Sequence, residues 1–207
     1  MTKLFLKKIA YFVAVFSIFT LIFENSASAA TSTSTTTIST TVLESISTSC
    51  GATLALGNLT PGTPVSSNVT CTTTTNANGG YDLAVKRDDA DTTIDHTVDA
   101  TTNITDKTVW TPGTPNGAIW SSTGLGFRVM STGTTAALYN STWWGATDVN
   151  GVAKYAGFPT AYANIASTTA YSSTATAVVV EAKVDVDGTQ KSGTYNGTVT
   201  FQGTSKP

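Results

Sequence analysis

The plainest periodicity lies near the end of the chain. Over residues 178–186 every second position is apolar: Val178, Val180, Ala182, Val184 and Val186. Val179, Glu181, Lys183, Asp185 and Asp187 fill the positions between. A two-residue repeat sends these sets to opposite faces of a strand. The pattern predicts one face turned inward and one charged face turned to solvent, where alternating charges discourage edge pairing. Asp187-Gly188-Thr189 supplies a turn. Alternation resumes over 194–201, with Tyr195, Gly197, Val199 and Phe201 inward and Thr194, Asn196, Thr198 and Thr200 outward.

Weaker versions of the pattern run back toward the N-terminus. Ile38, Thr40, Val42, Glu44 and Ile46 share one face of a segment over 38–46. Leu54 and Leu56 alternate within 53–59, which ends at the turn Thr60-Pro61-Gly62. Residues 65–75 read as a strand through Val69 and Cys71. Residues 81–86 read as another, with Tyr81, Leu83 and Val85 on one face, after a turn at 76–80. Two more strands are expected at 126–130 and 136–140. Residues 88–123 read as long loops with short strands, and 150–176 show no helical period. Many short strands with turns between them predict an all-β sandwich over 50–207.

Composition supports this picture. Threonine is the most frequent residue, and its β-branch suits strands. Residues 30–37 are almost wholly Thr and Ser and have too little apolar surface to fold alone, so 30–49 reads as an extension. Charged residues are 12% of the chain and the net charge is −2, with no basic stripe, which argues against nucleic acid.

The first residues change the compartment. Lys3, Lys7 and Lys8 precede an apolar run over 9–23, and Ala27-Ser28-Ala29 places small residues at a cleavage site. That order reads as a secretory signal peptide over 1–29. The alternative is an uncleaved anchor, but the run is short of the roughly 20 residues a spanning helix needs. No second apolar run follows, so no membrane span is expected after it. The product is expected to be secreted, at the extracellular cell surface. There Cys50 and Cys71, the two cysteines of the chain, read as a disulfide, with a free pair as the alternative.

Candidate chemistry is thin. His96 is the lone histidine, sits in a polar stretch with no nucleophile motif, and reads as a solvated loop residue. Neither a catalytic set nor a cofactor site is expected, so the chain does not read as an enzyme. Asp88, Asp89, Asp91 and Asp95 could offer oxygens to calcium but lack the EF-hand glycine and glutamate; a solvated surface is the blander reading. Trp143 and Trp144 are candidate ligand-stacking residues, with Tyr139 beside them, for a glycan. As neighbours on an extended chain they would point opposite ways, so at most one would be core. Asn68-Val69-Thr70 and Asn196-Gly197-Thr198 are glycosylation sequons.

Two stretches carry a resemblance. Cys50-Gly51-Ala52-Thr53-Leu54-Ala55-Leu56-Gly57-Asn58-Leu59-Thr60-Pro61-Gly62, followed by Val69-Thr70-Cys71-Thr72, is similar to the first disulfide strand pair of the spore coat protein U and chaperone–usher pilin group. The middle motifs Leu125-Gly126-Phe127-Arg128-Val129-Met130, Leu138-Tyr139-Asn140 and Trp144-Gly145, and the closing Gly193-Thr194-Tyr195-Asn196-Gly197-Thr198-Val199-Thr200-Phe201, resemble the same group. The resemblance implies an Ig-like β-sandwich that is incomplete and is filled by strand exchange. The donor would be residues 30–46 of another subunit, with Ile38, Val42 and Ile46 as plugging side chains. Alternatively, that segment is the domain's own first strand. The implied function is a pilin- or coat-like structural subunit, with a monomeric adhesin or carbohydrate-binding module as the alternative. The implied partners are copies of itself or related surface subunits, and a periplasmic chaperone.

Overall fold

The computed structural model describes residues 8, 10, 30–88, 90–91, 93–114 and 117–207. The signal peptide expected over 1–29 lies outside the described residues apart from Lys8 and Ala10. No helix among the described residues is long and apolar enough to cross a membrane. The chain divides after Thr41 into two units, and every strand of the described residues lies in Val42–Pro207.

That unit is all-β. The first sheet joins β1 (Ile46–Cys50), β2 (Val65–Thr75), β10 (Ser172–Asp185) and β7 (Gly124–Val129), in the order β1-β2-β10-β7, all antiparallel. A second joins β12 (Val199–Ser205), β3 (Tyr81–Arg87) and β9 (Ala163–Ser167) in that order. A third, small sheet holds β11 (Tyr195–Asn196), β4 (Thr93–His96) and β5 (Asn103–Thr105), and β6 (Ala118–Ile119) pairs with β8 (Lys154–Tyr155).

Alternation explains how the sheets meet. Val69 and Cys71 of β2, Val178, Val180, Ala182 and Val184 of β10, and Phe127 and Val129 of β7 turn to one side. Tyr81, Leu83 and Val85 of β3 and Ile165 of β9 face them in the same buried cluster. In the register of β10 against β2, Val178 lies opposite Cys71 and Val180 opposite Val69, so like faces meet and a slip of one residue would turn both outward. Cys50 lies opposite Cys71 at the end of β1, and the two are bonded.

The strands expected at 65–75, 81–86 and 126–130 are found, with small shifts at their ends. Other expectations are corrected. Residues 53–59 form no regular strand, and 136–140 hold a 3₁₀ turn at Ala136–Leu138 instead. Residues 186–198 do not close a hairpin. β12 leaves β10 altogether and pairs with β3 in the other sheet. The charged face of β10 is not open to water. Lys183 and Asp185 are buried under Lys107, Trp120 and Tyr155, which pack where Gly126 of β7 has no side chain. A Cβ on Gly126 would come within 3.1–3.2 Å of all three.

The disulfide closes a loop with a sequence separation of 21. Replacing both cysteines by serine is expected to destabilise the domain by about 3 kcal/mol through the freer unfolded chain. Denaturant unfolding measures it, and an unchanged midpoint would contradict it.

Candidate functional site

β1 stops where its disulfide is made. Gly51 donates once more to Thr70 O at 3.2 Å, and then the chain peels away from the sheet. Gly51 sits against Val69, where a Cβ would stand 2.9 Å from a valine methyl, and Gly57 takes φ +71°. Residues 51–59 therefore run past the sandwich without pairing, although Leu54, Leu56 and Leu59 still lean on the core. On the facing side, β12 is the edge of its sheet, hydrogen-bonded among the described residues to β3 alone.

An open groove of about 720 Å³ lies between them, lined among others by Cys50, Leu54, Leu56, Val199 and Phe201. It continues past the shared residues Leu56, Ile94 and Tyr195 into a second cavity of about 530 Å³ that reaches Leu59 and Val186. Val199 and Phe201 are inward positions of β12, yet they are only half-buried. At the other end the groove is shut. A Cβ on Gly203 would clash with Thr48 Oγ1, so β1 and β12 close together there.

Arg87 forms part of the groove wall. Its side chain is buried, as is the carboxylate of Asp106, which it holds at 2.5 Å. Arg87 also donates to Thr93 O, and a backbone hydrogen bond from Phe158 reaches the Asp106 carboxylate. The strand pattern could have found this residue, because the inward series Tyr81, Leu83, Val85 runs on to Arg87. Burial pushes the Asp106 carboxyl up to about 6, against the pull of the Arg87 guanidinium.

The candidate donor residues separate. Ile38 and Val42 are exposed, 93% and 79%, as is Leu43 at 81%. Ile46 is on β1, opposite Thr75, and packs half-buried against the core, so it is not in the free arm. Residues 43–45 are tied down: Asn76 donates to Leu43 O and accepts from Ser45 N, and Ser205 Oγ donates to Glu44. These anchors lie at the closed end of the groove, beside the C-terminal end of β12.

The two tryptophans are not on a strand. Asn140 caps the short helix α1 (Ser141–Trp144), accepting from Thr142 N and Trp143 N. Both indoles therefore turn to the same body, with Trp110 5.3 Å from Trp143 and 5.0 Å from Trp144. Trp144 is fully buried against Phe127 and offers no face to a ligand; Trp143 is half-buried. Tyr139 donates its hydroxyl to Gly145 O at 2.5 Å.

His96 is a second correction. It lies on β4 and is buried, with its ring edge-to-face on Tyr195 at 5.0 Å. Its Nδ1 accepts from Val98 N and Asp99 N, which assigns the proton to Nε2, facing Ser192 O. The carboxylates offered to calcium accept from donors of the protein itself: Asp88 from Thr198 N, and Asp91 and Asp95 both from Thr93 Oγ1. Asp89 lies outside the described residues. No metal-binding group of three such side chains occurs among the described residues.

Sequence reasoning missed the polar cluster over β7 and β10. Arg128, fully buried, donates to Asp148, and Tyr155 donates its hydroxyl to Glu181 at 2.9 Å. Burial by itself would raise the Asp148 carboxyl, but hydrogen bonds from Thr132 and Ser131 outweigh it and hold Asp148 down at about 2. No signal in the alternation distinguishes such a covered polar face from a wet one.

No family model matches the chain, and comparison with curated proteins finds no match. The class defined by the fold is an all-β sandwich, and its most distinctive feature is the open edge.

The raised Asp106 carboxyl has a measurable consequence. The folded state holds that proton more tightly than the unfolded chain does, so the stabilisation is complete below the ordinary carboxylate range and is lost as pH rises through about 6. Unfolding free energy should fall by about 2–3 kcal/mol between about pH 4 and 7. Asp106→Asn should flatten that slope, as chemical denaturation across the range will show.

Proposed function

We propose that the chain is a structural subunit of the cell surface whose copies join by β-strand addition. The free arm over 30–42 of one copy enters the groove between β12 and residues 51–59 of the next. The observation that carries this reading is the groove itself: an edge strand with unpaired main-chain groups beside an apolar floor whose inward side chains are half-covered. An added strand would pair that edge and cover that floor, with main-chain hydrogen bonds for affinity and alternate side chains for register.

The arm has the matching pattern. Ile38 and Val42 are four residues apart, on one strand face and about 13 Å from each other when extended. Burying two such side chains is worth roughly 3–6 kcal/mol before ordering costs. The fold also favours a neighbour's arm over the chain's own. Residues 43–45 leave from the closed end of the groove, so self-insertion needs a reversal, and 30–46 contain neither Gly nor Pro to make one. A signal peptide over 1–29 would deliver the subunit to a compartment where the Cys50–Cys71 bond persists. A periplasmic chaperone would occupy the same edge before assembly.

The monomeric adhesin reading draws less support. Burial of Trp144 removes half of its stacking pair.

Deleting residues 30–42 should leave a folded monomer by size exclusion and no filaments by electron microscopy. Filaments of unchanged length from that deletion would falsify the strand-addition reading.

A further inference from the structure

The covered polar face of β10 contains a pairing the surface-subunit reading does not use. Lys183 is buried, and its Nζ donates to Asn150 Oδ1 at 3.0 Å. The amine is capped by two rings, with the centroids of Trp120 at 5.4 Å and Tyr155 at 5.2 Å. No carboxylate lies within ion-pair distance of it among the described residues. Burial lowers the Lys183 pKa against the pull of Glu181 and Asp185, which shifts the group toward the neutral amine.

The Asn150 side chain is exposed, but the backbone turn that carries it is held in place. Asp148, two residues before Asn150, accepts from Arg128, Ser131 N and Thr132 N, which fixes the turn to the end of β7. The turn closes with Val152 N and Ala153 N both on Val149 O, at 3.1 and 3.0 Å. Glu181 and Asp185 flank Lys183 two positions away on the same face of β10, and both act electrostatically on it. Tyr155 holds the Glu181 carboxylate in position.

We infer that Lys183 and Asn150 form an intramolecular amide cross-link. The neutral Nζ attacks Cγ of Asn150, and a C–N bond forms. The bond from Cγ to Nδ2 then breaks, one Nζ proton passes to the departing nitrogen, and that nitrogen leaves as ammonia. One amide is exchanged for another, so no oxidant, reductant or co-reactant is needed. Fixing amine and carbonyl side by side replaces an encounter between separate molecules, an advantage on the order of 10⁵ M or more in effective concentration. The bond would staple the excursion between β7 and β8 to β10 across 33 residues of sequence.

Mass spectrometry of the reduced wild-type protein, after allowance for its observed N-terminus, should read one ammonia below the sequence mass. Proteolytic mapping should join the peptide of Lys183 to that of Asn150. Lys183→Arg and Asn150→Ala should each restore the full mass. A wild-type chain at full mass, or one in which Asn150 has hydrolysed to aspartate, overturns the cross-link. Neither outcome depends on whether copies assemble.

Discussion

Main-chain pairing of β10 with β2 on one side and β7 on the other orders the domain. These partnerships fix which residues of three strands share a face, because antiparallel register and a two-residue period leave no other choice. Val178, Val180, Ala182 and Val184 then form one wall of the core, and β3 and β9 close over them with Leu83, Val85 and Ile165. The same pairing puts Glu181 opposite Arg128 and Lys183 opposite Gly126 on the other face, so the core and the covered polar cluster share one register.

The polar cluster is an unusual use of a sheet surface. Burying charge is costly unless each group finds a partner. Arg128 meets Asp148, Glu181 meets the Tyr155 hydroxyl, and the lysines lie over aromatic rings. Both arginines of the chain are buried, Arg87 at the end of β3 and Arg128 on β7, and each joins a loop excursion to a sheet by an ion pair. Irregular segments that cannot pair as strands are held by charge instead.

The open edge has the opposite character. Residues 51–59 carry leucines that belong to the core, but glycines flank them and the disulfide ends β1 before they can pair. β12 is left with one hydrogen-bonded neighbour and a half-covered inner face. Exposed edges of this kind invite another strand, and natural sheets usually blunt them with charge or bulges. Here the groove side of β12 presents Val199 and Phe201.

Much of this was legible in the residues alone. Alternation in 65–75, 81–86 and 178–186 determined three strands and their inward faces, because side-chain direction is a local property of an extended chain. The cysteine pair was readable for the same local reason of chemistry and count. Partner choice was not. The step from β10 to β12 looks like a hairpin in sequence, and only the packing of two sheets sends β12 to β3. His96 looked exposed in its polar neighbourhood, and alternation left open which of Trp143 and Trp144 is core; His96 and Trp144 are both buried by residues elsewhere in the chain. Which faces meet water depends on contacts between residues distant in sequence, and periodicity along one strand carries no information about what comes to cover it.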